Sequence, residues 1–178
     1  MISEKKLSRI AGFCYLLVIA TGLFSEVFVR QALRVSNDAL ATAHNIQTHE
    51  MLYRWGFVAD LVNFVIGLPT VIIIYYFFKK SHKIILQIAL MMVIIQTAII
   101  AVNLLNQVSP LLLLSNDIYL NSFQENQLAT LSLLMLNIQS QGYAIGLVFF
   151  GFYCLLIGYV IYETGAIPKI LGLLYALS

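Results

Sequence analysis

Charge is scarce in this sequence. Only 10% of its 178 residues are Asp, Glu, Lys or Arg, while 61% are hydrophobic. A soluble globular domain carries about 25% charged and about 45–50% apolar residues. There are too few charged groups to clothe a water-facing surface of this size, which excludes a soluble domain. Alternating ten-residue segments are also missing, which excludes a transmembrane barrel. The two cysteines, Cys14 and Cys154, lie inside apolar runs. They have no zinc-type spacing and read as small buried hydrophobes. No GxSxG, Walker loop, dinucleotide fingerprint or HExxH pattern occurs. Basic and aromatic residues do not interleave as nucleic-acid binding requires, and the net charge is only +2. The residues therefore predict no catalytic group, no metal, no cofactor and no nucleic-acid partner. Nor is there an internal repeat or a low-complexity tail.

What the sequence does have is long apolar runs. A helix needs about 20 apolar residues to cross about 30 Å of hydrocarbon, and it satisfies its own backbone there. The first run spans Ile10 to Val29, after Lys5, Lys6 and Arg9. It has no convincing cleavage site after it, so it reads as a retained helix and not a signal peptide. A polar stretch from Gln31 to Glu50 follows, in which Ser36, Asn37 and Asp38 predict the cap of a short helix, Ala39 to Thr48. The second run is Leu52 to Phe78 and ends at Lys79, Lys80 and Lys83. The third runs from Ile84 at least to Asn106, with Pro110 either kinking a continuation to Leu114 or starting the loop. The fourth, Leu128 to Tyr162, is too long for one upright crossing and too short for two. Asn137, Gln139, Ser140, Gln141 and Gly142 mark a division. The span is placed at Gly142 to Tyr162, and the part before it is an interface helix or an outward extension. After a turn at residues 163–166, Ile167 to Ser178 starts a fifth apolar segment, with Pro168 in its first turn. Twelve residues are too few to span, so a truncated fifth helix is expected.

The fold predicted is all-α: a single domain over residues 1–178, a polytopic bundle of four complete spans and a truncated fifth. Charge bias orients it. With four crossings, Lys5, Lys6, Arg9, the Lys79–Lys83 turn and Lys169 share one side, whereas the 116–127 loop carries no Lys or Arg. The positive-inside rule then predicts an inside N-terminus.

Polar groups within the spans are the candidates for function, because each is costly in lipid. Glu26 and Arg30 are four apart, on one helical face, as are Glu50 and Arg54. Arg54 and Asp60 differ by about 240° around a helix, so each needs a partner on another helix: Arg30 for Asp60, and Glu26 or Glu50 for Arg54. Asn63 shares the face of Asp60. Asn103 shares a stripe with Gln96, and Gln141 follows Asn137 by one turn. Nearly all these groups fall in the outer half. One outward-facing polar cluster is expected, formed by Glu26, Arg30, Arg54, Asp60, Asn63, Asn103 and Gln141. The alternatives for them are interface anchors and interhelical glue. The histidines fit no ligand set: His44 and His49 are five apart, and His82 sits among lysines. Gly142, Gly146 and Gly151 predict close helix approach by the fourth span. Gly67 beside Pro69 predicts a bend in the second.

Several stretches are similar to one bacterial membrane family, catalogued as domain of unknown function 4386. They are Arg9-Ile-Ala-Gly-Phe-Cys-Tyr-Leu, Ala41-Thr-Ala-His-Asn-Ile, Leu52-Tyr-Arg-Trp-Gly-Phe-Val-Ala-Asp-Leu, the glycine-rich segment from Val148 to Tyr159, and Gly165-Ala-Ile-Pro-Lys-Ile-Leu-Gly. The resemblance covers nearly the whole chain. It implies a multi-pass protein of the bacterial cytoplasmic (inner) membrane, generally longer than this chain. Its recurring polar positions map onto Arg54 and Asp60. A histidine often found before the glycine-rich span is replaced here by Gln139, Ser140 and Gln141. No catalytic residue carries over. The sequence supports first a binding, sensor or accessory protein that contacts membrane lipids. It would take a small-molecule or ion ligand from the outer side, or a helical partner. A small transporter or proton-coupled carrier comes second, and an intramembrane enzyme third.

Overall fold

A computed structural model describes residues 3–165 and 168–177. Among the described residues, seven helices follow one another: α1 (Glu4–Leu33), α2 (Ala39–Thr48), α3 (Glu50–Phe78), α4 (Lys83–Ser115), α5 (Asp117–Ser122), α6 (Glu125–Thr164) and α7 (Lys169–Ala176). Four of them, α1, α3, α4 and α6, are long and apolar enough to cross a membrane. The protein is an integral membrane helix bundle.

The caps are local and chemical. Ser3 accepts from the Lys6 amide ahead of α1. Asp38 accepts from the Ala41 amide at 2.9 Å and starts α2, in the place the sequence predicts. Gln124 and Gln127 exchange bonds in a capping box at the start of α6. Gly165 ends α6 in the left-handed conformation (φ 59°), which a glycine adopts without a Cβ penalty.

The structure decides two alternatives that the sequence leaves open. Pro110 does not start a loop; α4 runs through it to Ser115. Of the two readings of the fourth apolar run, the outward extension of one helix holds, with no division near Gly142. The run is one 40-residue helix, about 60 Å long at 1.5 Å per residue, roughly twice the hydrocarbon thickness. The capping box at Gln124 and the burial of Leu128, Ala129, Ser132 and Leu136 explain the continuity. The extension has a packing partner beyond the span, so its polar residues do not have to break the helix. After the fourth span the described chain holds the eight-residue α7, packed on α6. The predicted segment start at Ile167 and its last residue, Ser178, lie outside the described residues.

The spans associate chiefly in pairs, α1 with α3 and α4 with α6. Two apolar cores hold the ends. At one end Val29, Leu33, Ile46, Tyr53, Leu111 and Leu128 pack together, bringing α2 over the bundle. At the other, Leu86, Ala89, Val93, Tyr153, Ile157 and Val160 form the second core. With four crossings the first is the end capped by α2 and α5, and the second carries the lysine turn. Around the bundle, large apolar side chains such as Phe13, Leu16, Val65, Ile72, Val102 and Phe152 are exposed. In a bilayer this belt contacts lipid tails.

Candidate functional site

Between the two cores lies a polar layer centred on Asp60, which is 7% exposed. A carboxylate so buried needs donors, and it has three, from two other spans. Its Oδ2 accepts from the Ser25 hydroxyl at 2.6 Å, from Arg30 Nη1 at 2.7 Å and from the Gln107 amide at 2.8 Å. Arg30 also donates through Nε to Glu26 at 2.8 Å and through Nη1 to Ser25 at 3.1 Å. Its guanidinium lies 5.6 Å from the centre of the Tyr143 ring. One cation thus stands between two carboxylates, bridging α1, α3 and α6, while Gln107 adds α4.

Local backbone makes this convergence possible. On a regular helix Ser25 and Arg30, five residues apart, point about 140° away from each other. Residues Phe24–Arg30 instead form a π-helical turn, in which the Gln31 amide reaches back to the Glu26 carbonyl. The wider turn brings residues five apart onto one face, so both side chains reach one carboxylate oxygen. Such bulges recur at functional sites.

Further amides extend the layer. Asn103 donates to the Gln139 carbonyl at 2.6 Å, and Asn106 donates to Asn103 at 3.0 Å. This needs Gly142, because a Cβ there would stand 2.6 Å from the Asn103 amide oxygen. Gly146 likewise admits Ile100, as the sequence predicts. Gly151 does not share this role, since a Cβ there meets nothing within 4 Å among the described residues. Asn63 donates to the Val18 carbonyl at 2.7 Å and to Thr21 at 3.2 Å, tying α3 to α1.

The expected residues divide. The structure brings together Glu26, Arg30 and Asp60, with the predicted Arg30–Asp60 pair. Asn63 lies one turn further along α3, and Asn103 lies beside Gln107. Arg54 stands apart: it pairs with Glu50 at 2.6 Å, and both side chains are more than 40% exposed. The reason is rotational, as the angle between Arg54 and Asp60 sends them to different sides of α3. Gln141 is also exposed and lines none of the spaces at the layer. Sequence reasoning missed Ser25, Gln107 and Tyr143. Gln107 had a signal, because Gln96, Asn103 and Gln107 share one stripe at helical spacing. Ser25 had none, because a π turn is invisible in residue periodicity.

Two spaces meet at this layer. A cavity of about 290 Å³ runs between the helix pairs, bounded by Arg30, Asp60 and Asn63 at one end and by Tyr15, Tyr153 and Tyr175 at the other. Its wall on α3 extends from Asp60 to Ile74, about 21 Å of helix rise. Gly67 lines it and leaves open space, since a Cβ there meets nothing within 4 Å among the described residues. A second, polar space of about 360 Å³ is bordered by Glu26, Gln31, Arg34, Ser36 and Gln139. Arg30 and Tyr143 border both. Among the described residues, no cluster of His, Cys, Asp and Glu has the make-up of a metal site.

No curated protein and no solved structure matches the chain. The family model described as "Domain of unknown function (DUF4386)" matches residues 10–178, nearly the whole chain. The resemblance seen in the sequence therefore holds: this integral membrane protein belongs to the DUF4386 family.

Proposed function

We propose that the protein binds a small, largely apolar molecule inside the bilayer, acting as a membrane binding, sensor or accessory protein. The cavity between the helix pairs carries this reading. Its volume falls at the lower edge of the ordinary range for ligand pockets, about 300–1,000 Å³. Its walls are mostly apolar, with Phe64, Leu68, Ile100 and Phe150 among them, and its charged groups, Arg30 and Asp60, lie together at one end. That division suits a molecule with an apolar body and one polar end. The charge bias of the loops supports an inside N-terminus. The polar space and the capped end then face outward, and the bacterial cytoplasmic membrane is the proposed location.

The test uses the open space at Gly67. The protein in lipid nanodiscs is irradiated with a diazirine-bearing octanol, and the labelled peptides are identified by mass spectrometry. Label on peptides holding Phe64, Tyr143 or Phe150, lost in Gly67→Phe with melting unchanged, supports a ligand cavity. Label spread along the lipid-facing belt and indifferent to Gly67→Phe overturns it.

A second reading, a small transporter, is favoured by one observation. The cavity and the polar space share Arg30 and Tyr143, so movement of that single pair would join them. Uptake of the cavity ligand into proteoliposomes, greater in Tyr143→Ala than in empty vesicles, separates a carrier from a binding protein.

A further inference from the structure

The charges at the cavity say what kind of polar end it accepts. Among the described residues, only Arg30 and Asp60 of the charged side chains border it. They are already spent on each other at 2.7 Å, and Arg30 on Glu26 as well. Their side chains are 14% and 10% exposed, so little of either charge is presented to a further ion. The other polar residues on its wall are uncharged: Asn63, Thr70, Gln96, Thr97 and Tyr143, with three tyrosines at the far end. Among the described residues, the Tyr143 hydroxyl and the Gln96 amide take part in no hydrogen bond. They can serve as donor and acceptor to an incoming group.

We infer that the cavity selects molecules with an uncharged polar end, a hydroxyl, ketone or amide group on an apolar body, and rejects organic cations and carboxylates of the same shape. An ammonium or carboxylate would lose its hydration and find no unpaired counter-charge on the cavity wall, since Glu26, the second carboxylate on Arg30, borders the separate polar space, and that cost is large in a low-dielectric site. A neutral group gives up much less and recovers it through Tyr143 or Gln96. Discrimination on the order of a hundredfold follows from the cost of placing one charge at membrane depth. This inference rests on the cavity being a ligand site, and it adds a reciprocal consequence. Removing the partners of one charge should create the site for an ion that the wild type rejects.

The experiment photolabels nanodisc-embedded protein with three diazirine probes of one chain length: octanol, octylammonium and octanoate. Wild type should label in the cavity with octanol at a concentration about a hundredfold below that needed for either ion. Arg30→Gln leaves Asp60 without its cation and should gain octylammonium labelling by about tenfold or more. Asp60→Asn leaves Arg30 paired with Glu26 and should gain no octanoate labelling, whereas Asp60→Asn combined with Glu26→Gln frees the guanidinium and should gain it. The double variant, Arg30→Gln with Asp60→Asn, removes both charges and should label with octanol alone. It also keeps the test decisive if a single variant folds poorly. Equal labelling of wild type by all three probes within the cavity would overturn the head-group inference and leave the binding reading standing. Tighter labelling by either ion would do the same. Absence of cavity label from every probe would remove both.

Discussion

Replacing Asp60 by alanine tests the energetic centre of the bundle. The substitution removes the acceptor shared by Ser25, Arg30 and Gln107. Arg30 and Asp60 are 14% and 10% exposed, so solvent screening relieves little of the loss. Breaking a buried pair by removing one partner costs about 3–5 kcal/mol, because the other charge stays buried and uncompensated. Glu26 remains 2.8 Å from Arg30, so the cost should fall at the lower end, about 3 kcal/mol. The orphaned Ser25 and Gln107 donors overlap with this figure and do not add to it in full. Thermal unfolding in detergent should show an apparent Tm lowered by roughly 6–12 °C, at 2–4 °C per kcal/mol for a chain of this size. The companion measurement is the double variant Asp60→Leu with Arg30→Met. It removes the orphaned cation, so it should be more stable than Asp60→Ala by about 1–2 kcal/mol even though it lacks more polar groups. A loss below about 1 kcal/mol for Asp60→Ala, or a double variant less stable than the single one, would refute the view that an uncompensated charge dominates.

Three other outcomes are expected. Gly146→Leu should lower the melting temperature in detergent, because even a Cβ there stands 2.8 Å from Ile100. Gly151→Leu should leave it within about 0.5 kcal/mol of wild type, as an open surface position does, and equal losses at both would contradict the packing. Arg54→Gln should change stability by no more than about 1 kcal/mol, as for an exposed ion pair, and should not alter probe labelling. A drop in cavity labelling would return Arg54 to the site. A membrane-impermeant thiol label at Asn121→Cys, in a chain free of its own cysteines, should react from outside intact cells. Reaction only after the inner face is opened would invert the proposed orientation.

Some of this protein could be read without coordinates. Run length and low charge settled membrane residence, helical class and the four spans, because a helix in lipid must satisfy its backbone within one continuous segment. Asp38 announced α2 because a cap is a contact across three residues. The Arg30–Asp60 pair was legible for a related reason, since a carboxylate at that depth must find a cation. Tertiary structure alone decided the rest. Of the two partners the sequence offered Arg54, the fold takes Glu50 and not Glu26, which leaves Arg54 outside the Asp60 layer. The fourth run looked divided because its polar middle was weighed without α2, whose packing on α6 lets one helix continue past the bilayer. Ser25 joined Asp60 through a π turn, which leaves no periodic trace, and Gln107, though on the stripe of Gln96 and Asn103, reached it only through the packing of α4. The cavity itself exists because α1 with α3, and α4 with α6, pack more closely within each pair than across the gap. How closely two helix pairs approach depends on side chains far apart in the sequence, so no single segment encodes it.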